Sequence, residues 1–368
     1  MIVPLICVNL MQSTGTKGGI EVYARELYRA IAGLEHEFEF VAFASHELMA
    51  QDTSWFPGEV IDSGISGENR FSWARAELFA VSRFARDRKA DLIHGPAMFG
   101  PLRSAIPVVL TVHDLLYFSH PELMQTRMFT EPVKWMERRA AAIATRIITI
   151  SRYSGRAITK YFDFPEERID VIPLAARSTV AGLQSDAPRR DDLFLAMGQR
   201  SPYKDFETVV RAWALLDPPE RPQLVITGGH GDDPLAPLVE SLGLSGSVEL
   251  KDWVSTEELS RLMSSATALI DSTLATGFSL PTLEAMSIGL PVLLADTEIF
   301  REVGSDAADY FRAGDPVDLA RAVTALASDR DRQRELEALG RERATLFSWE
   351  RVAEATLETF RRSLRESA

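Results

Sequence analysis

Two short segments carry residues whose types and spacing can do chemistry. The first is Thr276-Gly-Phe-Ser-Leu-Pro-Thr-Leu-Glu-Ala-Met-Ser-Ile-Gly-Leu-Pro-Val292. A strand-like run ends near Asp271, Gly277 supplies a turn, and Pro281 stands where a first-turn helix proline fits. Such a turn aims the backbone N–H groups of Ser279, Leu280 and their neighbours, Phe278 among them, outward, a setting that suits a phosphate. Glu284, one turn further, projects beside that anion site. Its carboxylate can accept two hydrogen bonds from a ribose diol, or it can simply complement the helix dipole; the motif alone leaves both open. The second segment is Gly198-Gln-Arg-Ser-Pro-Tyr-Lys-Asp-Phe206. Arg200 and Lys204 fall in a strand-to-helix loop, where two fixed cations suit a departing diphosphate, since charge builds on its bridging oxygen as the bond breaks. The plainer alternative is a pair of surface cations.

Other chemistries find no support. The first loop, Gly15-Thr-Lys-Gly18-Gly19-Ile20, is not the dinucleotide pattern G-x-G-x-x-G, and no P-loop or nucleophile elbow occurs. Six histidines are scattered without metal-ligand spacing, so no metal is expected. An Asp-x-Asp pair, Asp329 and Asp331, lies in a charged helical stretch and reads as solvated surface.

These segments need a scaffold, and the chain alternates short apolar runs with helical patterns, the signature of parallel sheets covered by helices. Strand-like runs fall at 2–8, 38–43, 92–93, 108–112, 147–150 and 169–172, then at 193–197, 223–226, 248–250, 268–270 and 291–294. The stretch 173–192 breaks the rhythm and reads as a linker. At 368 residues, and roughly 150 per domain, two domains are expected. They are 1–175, joined by a closing helix over 349–368, and 190–348, each Rossmann-like, with a deep cleft between. A net charge of −13 argues against a nucleic-acid binder. The lone Cys7 excludes an internal disulfide and fits a reducing compartment. The apolar start has no basic residue before Lys17, unlike a signal peptide, so a cytoplasmic location is expected.

The whole pattern resembles glycosyltransferase family 4, the group 1 glycosyltransferases of GT-B fold. The resemblance runs through Gly18-Gly19, Asp91-Leu-Ile-His94, Thr111-Val-His-Asp114, Ile148-Thr-Ile-Ser151, Val171-Ile-Pro173, G-x-R-x-x-Y-K-x-F at 198–206 and the segment 277–284, in the family's order. It implies that Arg200 and Lys204 hold a donor diphosphate and that Glu284 holds the donor ribose. His113 is implied to line the donor sugar, and Gly18 and Gly19 to let the backbone approach the phosphate. One position departs. The family pattern is Glu, seven residues, Glu, and the first position is Thr276 here. Threonine brings one hydroxyl and no charge, which puts the donor sugar's identity in doubt and leaves room for a deoxysugar.

The expectation is a metal-independent transferase that retains anomeric configuration, with the leaving diphosphate taking the acceptor proton and no further cofactor. The resemblance favours mannose or a deoxyhexose such as rhamnose, on a guanosine- or thymidine-linked donor rather than a uridine-linked one. The implied acceptor is a glycan or lipid-linked hydroxyl in surface polysaccharide synthesis. Two rivals stand beside it, a silent nucleotide-sugar binder and a GT-B epimerase. Finally, 70–89 carries six basic residues against Glu77 and Asp87, and 127–160 carries eight against Glu131 and Glu137. Read as basic helices, these stretches suit peripheral contact with an anionic membrane; a solvated helix face is the plainer reading.

Overall fold

The computed structural model describes residues 3–15, 18–124, 127–181, 190 and 192–367. It divides into two units, Met1–Pro121 with Gln125–Leu174 and Ser348–Ala368, and Glu122–Met124 with Ala175–Phe347.

In the first unit, β1 (Leu5–Leu10), β2 (Glu39–Ala44), β3 (Glu59–Asp62), β4 (Leu92–Gly95), β5 (Val108–Val112), β6 (Arg146–Thr149) and β7 (Ile169–Val171) form one parallel sheet in the order β3-β2-β1-β4-β5-β6-β7. Central strands are buried along their length, as β5 is, because helices cover both faces; this is why they read as unbroken apolar runs. The helix Gly19–Ala32 buries Tyr23, Leu27, Tyr28 and Ile31 at helical spacing. Its buried phenols are satisfied. Tyr23 meets the Thr111 hydroxyl at 3.0 Å, and Tyr28 meets His94 Nδ1 at 2.6 Å. The closing helix, Trp349–Ser367, packs on this one and beside β4 to β6. Its Phe360 ring lies 5.1 Å from His94 and 6.1 Å from Phe38.

Burial pushes His94 down to about 3, with a smaller contribution from His113. An unfolded histidine takes a proton near pH 6.5, so this group contributes stability that is complete above that pH and lost as pH falls. Urea unfolding at pH 6 and pH 4 should therefore show the wild-type advantage over His94→Asn shrinking by about 1.4 kcal/mol per pH unit.

In the second unit, β8 (Leu193–Met197), β9 (Gln223–Gly229), β10 (Val248–Asp252), β11 (Ala268–Asp271), β12 (Val292–Ala295) and β13 (Asp309–Phe311) form a parallel sheet in the order β10-β9-β8-β11-β12-β13. The order reverses at β8, which pairs with β9 on one side and β11 on the other. Loops leaving the carboxyl ends of β8 and β11 thus start side by side, the place where open α/β sheets take ligands. Fully buried Trp213, on the helix Phe206–Leu215, anchors the core against Phe194 and donates its indole N–H to Pro222 O at 2.9 Å.

Several expectations need correcting. β3 and β13 were not anticipated; both are three- or four-residue edge strands with half-wet faces. The stretch 127–160 is not a helical unit but two helices, Arg127–Ile143 and Arg152–Phe162, flanking β6. Its Arg146 is buried, bonding Asp170 and Glu366 at 2.8 and 2.7 Å, so it adds nothing to a basic surface. The linker stretch holds a short helix, Ser178–Ala181, while 182–189 and 191 lie outside the described residues. Within 70–89, the α-helices Arg70–Arg75 and Val81–Asp87 are joined by a π-helical turn, Ala76–Ala80. That turn carries buried Glu77, which accepts from Asn9 Nδ2 at 2.6 Å and from Trp73 Nε1 at 3.1 Å; burial pushes it up to about 7.

Candidate functional site

The loop after β8 begins at Gly198, whose φ of +139° lies outside the range comfortable for other residues. A 3₁₀ turn, Pro202–Lys204, follows, and Asp205 then adopts a left-handed φ of 50° before the helix starts. A non-glycine residue there is uncommon, so the loop holds strain at the residue next to Lys204.

The loop after β11 is stitched to it. Leu274 N donates to Tyr203 O at 2.8 Å, and the Ser272 hydroxyl donates to Lys204 O at 2.7 Å. Lys204 Nζ donates to the Thr273 hydroxyl at 3.1 Å, and that hydroxyl in turn donates to Asp271 Oδ1. Asp271 Oδ2 accepts from the Ser279 hydroxyl at 2.6 Å. Ser279 caps the helix Leu280–Ser287, its Oγ accepting from Thr282 N at 3.3 Å. A chain of hydrogen bonds therefore links the ammonium of Lys204, through Thr273 and Asp271, to the residue that caps the helix's amino end. Pro281 has no N–H, and among the described residues no partner takes the N–H groups of Ser279 and Leu280. A cation tied in this way to a helix end with free amide donors is an arrangement able to hold an anion. Phe278 is buried, with its ring 6.1 Å from that of Phe347.

Arg200 stands differently from the expected outward cation. Its Nε donates to Asp233 Oδ2 at 2.8 Å, Nη1 to the carbonyls of Gly198 and Thr227 at 3.0 and 2.9 Å, and Nη2 to Ile226 O at 3.0 Å. Only 7% of the side chain is exposed, and the guanidinium sits 5.2 Å from the Phe206 ring centre. In this state it fastens the carboxyl ends of β8 and β9 rather than facing outward.

Glu284 is buried, and both its oxygens accept from Arg177, Oε2 from Nη2 at 2.8 Å and Oε1 from Nε. Neither reading of Glu284 from the motif anticipated this partner. The Thr276 hydroxyl donates to Phe278 O at 2.6 Å, so it shapes its own turn.

In the first unit, His113 follows β5. It is buried, edge-on to the Tyr23 ring at 4.8 Å, and its Nε2 donates to Pro96 O at 2.8 Å. Burial holds it down at about 4, so at neutral pH it is an uncharged imidazole with Nδ1 as its acceptor. Gly18 starts the helix Gly19–Ala32 at φ 65°, ψ −128°, a conformation for glycine, and a Cβ there would meet nothing within 4 Å. Asp329 caps the helix Arg330–Ala344, and Asp331 pairs with Arg334 at 2.6 Å, as surface residues do. Among the described residues no cluster of three or more His, Cys, Asp or Glu side chains gathers to hold a metal ion.

Sequence reasoning missed Asp271, Thr273, Asp233 and Arg177. A signal existed for one of them: Asp271 is the polar end of the apolar strand Ala268–Asp271, at the edge where ligands bind.

Residues 17–176 match the model for Glycosyltransferase Family 4, and residues 184–343 that for Glycosyl transferases group 1. The chain is 30% identical over 293 residues to O-antigen chain mannosyltransferase B of Escherichia coli, covering 75% of each chain. It is 27% identical over 320 residues to the MMP alpha-(1->4)-mannosyltransferase of Mycolicibacterium hassiacum, covering 82% of this chain and 77% of the other. Among solved structures, Anabaena HepE in complex with UDP and glucose superposes with a TM-score of 0.75 at 16% identity, over 98% of this chain and 100% of that one.

Proposed function

Given that the chain belongs to the group 1 glycosyltransferases, enzymes of GT-B fold, we propose that it moves a hexose from a nucleoside diphosphate donor to a hydroxyl of a glycan or lipid-linked acceptor, with retention and without a metal. The observation that carries this reading is the hydrogen-bond chain that links Lys204, through Thr273 and Asp271, to Ser279, whose N–H, like that of Leu280, has no partner among the described residues. As the glycosidic bond breaks, negative charge grows on the departing diphosphate, and these donors stabilise it. The diphosphate then takes the acceptor's proton. Arg200 contributes by holding the loop that carries Lys204, and Glu284 by receiving the donor ribose. His113, uncharged, offers the donor sugar a hydrogen-bond acceptor rather than an acid, and Gly18 and Gly19 leave the backbone open to phosphate.

A guanosine-linked mannose or a deoxyhexose is the favoured donor. The likeness to two mannosyltransferases supports the first, and the single hydroxyl of Thr276 leaves the second open. Peripheral action at the inner face of a membrane belongs to the same proposal. Among the described residues no helix is long and apolar enough to cross a bilayer. The basic stretch 70–89 exposes Phe71 (91%) and Phe79, which suits an interfacial contact.

Incubation with a panel of nucleotide sugars, with and without a glycan acceptor and with a chelator present, tests the reading. Nucleotide release that requires the acceptor is the expected result. Release without acceptor, accompanied by an epimerised sugar, assigns the chain to epimerisation, and tight binding without release makes it a silent binder.

A further inference from the structure

We infer that Arg177 is a built-in competitor for the nucleotide ribose: its guanidinium occupies both oxygens of Glu284, and a nucleoside diphosphate reaches that carboxylate only by displacing it. The inference rests on the reading of Glu284 as the ribose-binding carboxylate and adds the residue that regulates access to it.

The geometry is that of two ligands with the same valence. A guanidinium presents two parallel N–H donors to a carboxylate, and a ribose presents two adjacent hydroxyls. Arg177 already spends both donors on Glu284, one on each oxygen. The Glu284 side chain is only 1% exposed, so no face of the carboxylate is open to a second pair of donors while Arg177 stays.

Of the two partners, Arg177 is the one able to move. Glu284 belongs to a helix whose Thr282, Leu283, Ala285 and Met286 are all buried, so shifting it means shifting the core. Arg177 lies just ahead of the four-residue helix Ser178–Ala181, with its side chain 27% exposed, so it can turn towards solvent without shifting the core. Exchanging a charge-assisted pair for two neutral hydroxyls reduces the net gain from binding. The apparent affinity is therefore lower than that of a site whose carboxylate starts free.

Calorimetric titration with GDP, UDP and their 2′,3′-dideoxy counterparts, on wild type, Arg177→Gln and Glu284→Ala, tests this. Arg177→Gln should bind the ribonucleotide about tenfold more tightly, with the dideoxy form unchanged, because only the ribonucleotide competes for Glu284. Arg177→Lys, which keeps the charge but cannot span both oxygens, should shift affinity the same way by less, and it serves if the glutamine variant fails to fold. If Glu284→Ala weakens ribonucleotide binding while both Arg177 variants leave it unchanged or weaker, the competitor is overturned and the ribose reading survives. If Glu284→Ala and the dideoxy forms bind like wild type and the ribonucleotide, the ribose reading fails and the competitor with it. No heat from either ribonucleotide removes both.

Discussion

Lys204→Ala should lower kcat by two to three powers of ten while leaving the thermal unfolding transition within about 2 °C of wild type. The two halves of this expectation have separate causes. Among the described residues the Lys204 side chain gives one hydrogen bond, to the Thr273 hydroxyl, and it is half-buried, so its removal costs the fold little. Asp271 keeps its bonds from Ser279 and Thr273, so the helix's amino end stays in place. What disappears is a positive charge tied through Thr273 and Asp271 to the helix's amino end, where the donor diphosphate, already anionic, gains further charge as its bond to the sugar breaks. Such a group acts on kcat more than on KM. Steady-state kinetics with the preferred donor, beside a melting curve, reads both quantities. A kcat within threefold of wild type would take Lys204 out of the reaction.

Arg200→Ala should behave differently, losing stability as well as turnover. Its guanidinium joins Asp233 to the carbonyls of Gly198, Thr227 and Ile226 in a nearly dry setting, with Asp233 only 12% exposed. Truncation leaves a carboxylate and several carbonyls short of donors, at a cost of about 3 kcal/mol or more. Arg200→Lys should recover little of this, because an ammonium has three donors and no planar fork to span these acceptors. Turnover should fall too, since the same carbonyls frame the loop that presents Lys204. Denaturant unfolding of the three proteins checks the stability, and the order wild type, then Lys, then Ala is expected. An Arg200→Ala variant as stable as wild type but inactive would mean that the guanidinium leaves its carbonyls to serve the donor directly.

The contrast between these cations shows what a sequence can convey. Strands such as Val108–Val112 and Leu193–Met197 were legible because central parallel strands must be apolar on both faces. Glu59–Asp62 and Asp309–Phe311 were not, since edge strands with one wet face carry no such run. The loop after β8 and the capped helix at Leu280 were legible because proline, glycine and serine punctuate them in a set order. The direction of each side chain was not. Arg200 and Lys204 look equivalent four residues apart, yet one turns back over strand ends and the other forward to Thr273. Arg177 was invisible for a related reason. Its partner lies 107 residues away, and nothing in the irregular stretch around it signals a carboxylate across the fold. Long-range pairing is written in geometry, not in local spacing.

Calorimetry of GDP against guanosine, in the presence of a chelator, bears most directly on whether Lys204 and the amino end of Leu280–Ser287 grip a diphosphate. GDP should bind about a hundredfold more tightly than guanosine, as one or two charge-assisted hydrogen bonds would give, and the gap should narrow to a few-fold in Lys204→Ala. Equal affinities for GDP and guanosine, or a gap that survives loss of the lysine, would contradict it.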